Sequence, residues 1–230
     1  MRHDHGDTIE AVLAAYRVGC FPMADTREAD RLGLPIRWIR PETRAILPIR
    51  PEVFGLGEGV HIPRRLAKTV RRRPFVITSD RAFPRVIAAC AEPRHETESS
   101  TADTWIDARI EGLFTVLHDA GHAHSVEAWL ETDAGELRLV GGVYGLALGR
   151  VFCAESMFSR PELGGTDASK VALVHLIEHC RARGFTVIDT QFANPHLEQF
   201  RVVEVDGDAY LRHIDAVGED EVTWEPFEAS

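Results

Sequence analysis

The sequence predicts an α+β fold with a mixed, largely antiparallel sheet, and three observations carry that expectation. Residues 122–131, 137–148 and 150–158 are three runs of strand pattern parted by short turns, as in an antiparallel meander. Two flanking segments, 105–120 and 167–184, repeat apolar residues every three or four positions, as one face of a helix does. After the second of them, 185–191 alternates in steps of two and reads as a further strand. Helix, meander, helix, strand is an α+β order.

From the start of the chain, Ile9, Val12, Leu13 and Tyr16 fall on one helix face, with Thr8 as the expected cap and Gly19 as the stop. Cys20 to Met23 is extended and apolar, and 24–34 is a polar loop. Pro41 and Pro48 punctuate short strands within 36–49. Three glycines in 51–59 mark the expected boundary between a small N-terminal domain, residues 1–57, and a larger domain, 58–230. Pro63 opens a helix in which six of the ten residues from Arg64 to Arg73 are basic. Residues 74–78 read as a strand and 82–90 as a short helix. The polar segment 91–103 is expected to be a surface loop without structure of its own. Ile106, Ile110, Leu113, Phe114 and Leu117 make the apolar face of the helix that Gly121 ends. Asp167 is the expected cap of the helix carrying Val171, Leu173, Val174, Leu176, Ile177 and Cys180, closed by Gly184. This is the order of an N-acyltransferase core of the acetyltransferase (GNAT) type, although fold order alone is weak evidence for function.

Composition narrows the function classes. With 44% hydrophobic and 27% charged residues, the chain has the make-up of an ordinary soluble globular protein. No apolar run approaches the about 20 residues of a membrane span, and the first residues do not read as a signal peptide, so no membrane partner is expected. The four cysteines form no CxxC pair, which suggests free thiols in a reducing cytoplasm and no thiolate zinc site. A net charge of −10 argues against general affinity for nucleic acid. The basic run from Arg64 reads as a solvated helix face or, more sharply, as a local phosphate-binding patch.

The chemistry centres on 139–160. Gly141, Gly142, Gly145 and Gly149 interrupt apolar strand residues, which signals close approach of another backbone or a ligand. Glu155 follows inside an apolar strand, where a carboxylate must find a partner or shift its pKa upward. Alternation puts Asp189 and Gln191 on one face of their strand, within reach of Glu155 if the two strands are neighbours. Such a cluster suits acylation of an α-amine. The amine needs only a weak proton acceptor, a carboxylate or a carbonyl held by one, and no covalent nucleophile. Cys153 reads as a core thiol. His122 and His124 share a strand face, but with no third ligand signalled a structural role is expected and no metal. The loop Arg160 to Gly165 imitates a pyrophosphate-binding loop only loosely.

The motifs YRVGCFPM (16–23), WIRP (38–41), RAIL (44–47), TWI (104–106), GHAHSVEAW (121–129), LVGGVYG (139–145), ESMFS (155–159), ASK (168–170) and DTQ (189–191) occur in this order. Together they resemble the leucyl/phenylalanyl-tRNA–protein transferase family. The resemblance implies a small N-terminal domain joined to a GNAT-like domain. It implies transfer of Leu or Phe, less well Met, from aminoacyl-tRNA to the N-terminal Arg or Lys of a protein, which marks the acceptor for degradation. Neither a metal nor any cofactor, coenzyme A included, is implied. Glu155, Asp189 and Gln191 fall on the family's catalytic positions. Trp38, Trp105, Phe114, Phe152, Met157, Leu173 and Ile188 fall on matching or plausible positions for the aminoacyl and adenosine pocket. Arg64, Lys68 and Arg71 lie where the family contacts the tRNA acceptor stem. The chain departs from the pattern at Ile39, where the family often has a second Trp, and at Phe114, where it has a Tyr. It also departs after His196, where a basic tail becomes the acidic Asp206-Gly-Asp208. The residues alone leave two alternatives: an acyl-coenzyme A-dependent N-acyltransferase on the same fold, and a non-catalytic tRNA-binding protein.

Overall fold

In the computed structural model, which describes residues 4–97, 100–102 and 104–229, the chain opens with helix α1 (Asp4–Arg17). Thr8 lies within α1 and does not cap it, because the helix already begins at Asp4. Asp7 places negative charge near the start of α1, where the helix dipole favours it. The strands β1 (Phe21–Met23) and β2 (Arg37–Ile39) pair as a small ribbon, and β3 (Thr43–Pro48) follows. After a 3-10 turn at Pro51–Phe54 come the basic helix α2 (Arg64–Arg71), β4 (Val76–Ser79) and α3 (Phe83–Cys90).

The segment 91–103 is not the structureless loop its composition suggests. The strands β5 (Arg94–Thr97) and β6 (Ser100–Ala102) pair there as a hairpin, residues 98, 99 and 103 lying outside the described ones. Polar composition forecasts exposure, whereas a ladder needs only matched amides and carbonyls. Next are α4 (Ala108–Asp119), β7 (Ala123–Glu131), β8 (Leu137–Leu148) and β9 (Val151–Ser159), the expected helix and meander. The helix α5 (Ala168–Arg183) and the strand β10 (Val187–Gln191) are also in the expected places. The tail adds α6 (Pro195–Glu198), β11 (Val203–Asp206), α7 (Gly207–Val217) and β12 (Glu228–Ala229), none of which the sequence pattern signalled.

Eight strands form one sheet in the order β11-β3-β10-β9-β8-β7-β4-β12. Its pairs are antiparallel except β9 with β10, which run parallel. That one parallel pair positions the site. It holds from Val187↔Val151 to Asp189↔Cys153 and then ends, while β9 continues against β8 as far as Ser159. The sheet opens as a wedge between β9 and β10 beyond that point.

Helices cover both faces. Tyr16, Phe83, Phe114 and Tyr210 pack on one side of the sheet, and Leu66, Val171, Ile177 and Phe185 on the other. The glycines of β8 have the predicted purpose: a Cβ on Gly141 would stand 2.5 Å from that of Ala168, so α5 rests directly on the sheet. Asp167 does not cap α5. Its backbone is left-handed (φ 63°) and its carboxylate turns to Lys170 Nζ at 2.9 Å. The first turn is served from β9, where Ser159 Oγ accepts the Ser169 amide at 2.9 Å. Among the described residues, no helix is long and apolar enough to cross a membrane.

Candidate active site

A cavity of about 810 Å³ fills the wedge. Glu155, Met157 and Val143 line it from β9 and β8, Gln191 from β10, Leu173 from α5, and Trp105 from the segment before α4. Five of the residues picked from the sequence therefore come together here: Trp105, Glu155, Met157, Leu173 and Gln191. The others do not line it. Phe152 and Ile188 are partners across the β9/β10 pair and are buried in the core on the α5 side. Phe114 is fully buried against Tyr144, their ring centroids 5.3 Å apart. Trp38 stands half-exposed on β2 opposite Pro22, so it points to the other side of the ribbon from Phe21.

Behind the cavity wall lies a polar centre assembled from five elements. Tyr16 of α1 donates its phenol to Glu155 Oε1 at 2.7 Å, and Gln191 Nε2 approaches the same oxygen at 3.4 Å. Asp189 is fully buried, and its carboxylate is used up within the protein. Arg44 Nε reaches both of its oxygens at 3.0 Å, Arg44 also pairs with it at 2.9 Å through a terminal nitrogen, and the Tyr210 hydroxyl donates at 2.7 Å. The backbone amide of Gln191 donates to Asp189 Oδ1 at 2.9 Å. That bond belongs to a bulge: the pairing with β3 slips between Asp189 and Gln191, and Gln191 takes a left-handed backbone (φ 57°) that a non-glycine residue adopts only when held there. Asp189 thus fixes where Gln191 points, without itself reaching the cavity.

Sequence reasoning missed Tyr16, Arg44 and Tyr210. The signal for Arg44 was available, since an Arg at the head of the apolar run 45–49 must be paired when buried. Tyr210 comes from α7, whose start is fixed by Asp206 accepting the Ala209 amide at 3.0 Å. There a Cβ on Gly207 would meet the Glu42 carbonyl at 2.8 Å, so that approach needs glycine.

The two carboxylates have different surroundings. Burial pushes Glu155 up to about 8; the Tyr16 hydrogen bond pulls it back, Asp189 raises it further and Arg44 lowers it. Asp189 has a guanidinium and a phenol as compensation. Burial also pushes the Cys153 thiol well up, which keeps it protonated and unsuited to attack. His124 is taken by Asp80, with Nδ1 to Oδ2 at 2.8 Å, and its ring stacks on Trp224.

On α2, Arg64, Lys68 and Arg71 are exposed and recur at the spacing of one helix face. Leu66 anchors the helix in the core beside α5.

Comparison with known proteins identifies the family. The model of the family described as leucyl/phenylalanyl-tRNA protein transferase matches residues 54–215, and that of its N-terminal domain matches 6–42. A leucyl/phenylalanyl-tRNA–protein transferase of Novosphingobium aromaticivorans is 45% identical over 208 residues, covering 90% of this chain and 70% of that protein. Proteins of the same name from Hyphomonas neptunium and Rhizorhabdus wittichii are 44% and 43% identical, each over 90% of this chain and over 70% and 73% of their own lengths.

Proposed function

The chain belongs to the leucyl/phenylalanyl-tRNA protein transferase family, an aminoacyltransferase family, and from that premise we propose that it moves Leu or Phe, less well Met, from aminoacyl-tRNA to the N-terminal Arg or Lys of acceptor proteins. The product carries a new N-terminal residue that marks it for degradation in the cytoplasm, where the donor is found. One observation carries this reading. Glu155 and Gln191 line a cavity together with an apolar and aromatic group, Met157, Leu173, Val143 and Trp105, while Ser156, Thr190, Asn194 and His196 add further polar lining. An apolar donor side chain fits the cavity, and the polar lining faces the ester that must react. The wedge between two parallel strands also supports the GNAT-type core. The two separate family matches support a small N-terminal domain, the division at 57/58 being part of the same proposal.

The acceptor's α-amine has an ordinary pKa of about 7.7–8.0. Glu155, held at about 8, takes its proton almost without thermodynamic penalty. The amine nitrogen attacks the ester carbonyl, a C–N bond forms, and the ester C–O bond breaks. The ribose oxygen leaves and acquires a proton. Gln191, whose amide nitrogen turns to Glu155, offers its carbonyl to an N–H of the incoming amine. Asp189 keeps Gln191 in that pose. A cationic acceptor side chain is favoured by Glu155 in its ionised form, Asp189 being neutralised by Arg44.

The test is transfer of labelled Leu, Phe or Met from tRNA to peptides that begin with Arg, Lys or Ala. Arg- and Lys-initiated peptides should be acylated far better than the Ala peptide. Equal rates for all three would remove the acceptor assignment.

The basic face of α2 is proposed to hold the acceptor stem. Against a net charge of −10, attraction must be local, and screening over about 8 Å at physiological salt mutes distant carboxylates. Replacing Arg64 and Lys68 by Ala should weaken binding of aminoacyl-tRNA and lower the slope of log affinity on log salt by about 0.7–0.9 per lost contact. Transfer from an aminoacylated adenosine, which lacks the stem, should be unchanged. A parental salt slope in the double variant would put the tRNA elsewhere.

A further inference from the structure

We propose that Tyr16 is a positioning residue of the transfer reaction: from the N-terminal helix, its phenol holds Oε1 of Glu155 and leaves Oε2 to meet the acceptor amine. The inference rests on Glu155 being the proton acceptor. It extends the catalytic centre to α1, a helix in the part of the chain matched to the family's N-terminal domain.

The geometry carries it. Tyr16 is 1% exposed, and its hydroxyl reaches across 139 residues of sequence to Glu155 Oε1 at 2.7 Å. Gln191 Nε2 turns to the same oxygen, so among the described residues both hydrogen bonds to this carboxylate end on Oε1. A carboxylate tethered by one oxygen presents the other in a fixed direction, which is how a proton acceptor is pre-organised. Tyr16 itself is fixed, because α1 packs against α4, α7 and β8.

Among the described residues Gln191 is the other donor to Glu155, at the longer distance of 3.4 Å against 2.7 Å for Tyr16. Tyr144 of β8 and Cys153 of β9 are buried and stay protonated. Asp189 of β10 and Arg44 of β3 are paired with each other. Burial and the neighbouring carboxylate hold the Tyr16 phenol well above its ordinary value, so it remains a donor across the working range. Its bond favours ionised Glu155. Removing it must raise the pKa of Glu155 and move the acid limb of the pH–rate profile to higher pH.

The experiment measures kcat/KM against pH for the full chain, with an aminoacyl-adenosine donor and an Arg-initiated peptide. Tyr16→Phe should lose about 10- to 100-fold on the acid side, the scale of a hydrogen bond to a charged group, with the loss narrowing as pH rises. In a Glu155→Gln background the same change should cost less than about twofold, since Tyr16 acts only through the carboxylate. Placing 3-fluorotyrosine at position 16 gives a more acidic donor of nearly the same shape, and should shift the limb to lower pH. This arm tests the idea even if Tyr16→Phe fails to fold. A pH-independent loss, an equal loss in the Glu155→Gln background, or a limb unmoved by fluorotyrosine would each reduce Tyr16 to a core residue. A parental rate in Glu155→Gln alone would instead overturn the proton-acceptor assignment beneath it.

Discussion

Glu155→Gln is expected to cost the enzyme its turnover while making the fold more stable, with a stability gain that appears only as pH rises. The activity loss should be about 10²- to 10⁴-fold in kcat/KM, the usual scale for a positioned acid–base group. The gain follows from linkage. Glu155 has its pKa raised from 4.5 to about 8 in the folded chain. Between those values the unfolded chain has released a proton that the folded chain still holds, so stability falls as pH climbs through the window. Above it, the full penalty of a buried carboxylate is present. Gln cannot ionise and escapes that penalty. At 1.36 kcal/mol per pKa unit, a shift of this size sets a ceiling of about 5 kcal/mol, or very roughly 10 °C of Tm for a chain of this length. Melting curves of parent and variant should coincide near about pH 4 and separate progressively toward about pH 9. Curves that stay parallel across the range would mean that Glu155 is not the buried, proton-holding group its surroundings make it.

Asp189→Asn should unfold the chain more readily instead. The change removes the partner of a buried guanidinium, since the side chains of Arg44 and Asp189 are 2% and 0% exposed. An uncompensated buried charge costs about 3–5 kcal/mol, whereas two well-packed apolar residues in its place are often neutral. Asp189→Asn should therefore lower Tm by roughly 10 °C. Arg44→Met combined with Asp189→Leu should recover much of that, but not the activity, because the Gln191 amide has lost its anchor. Gln191→Ala is the control: turnover falls by about 10²-fold with the melt unchanged. A normal melt in Asp189→Asn would contradict the buried ion pair, and full activity in the apolar pair would free Gln191 from any dependence on Asp189. From the sequence alone, the near-isosteric Asn looks harmless. The structure reverses that expectation because the partner is a charge.

Much of the architecture was legible in the residues. The alternation of 187–191, the 3.6-residue repeat of α5 and the glycines of β8 are local properties of backbone and side chain, so they can be read without knowing any neighbour. They sufficed for the α+β class and the meander, but not for the shared face expected of Asp189 and Gln191, which the bulge breaks. The motifs carried the family, and with it Glu155 and Gln191. The pocket was less legible. Phe152, Ile188 and Phe114 are as apolar as Met157 and Leu173, and hydrophobicity is the same requirement whether a side chain meets a ligand or the core.

What the tertiary structure alone decided is who partners whom. Tyr16 meets Glu155 across 139 residues, Arg44 meets Asp189 across 145, and Tyr210 meets Asp189 from a helix that sequence pattern did not signal. A one-residue slip between β10 and β3 then turns Gln191 to the cavity and leaves Asp189 behind it. Periodicity cannot foresee such a slip, because a bulge is settled by the fit of two distant strands and by the charge waiting between them.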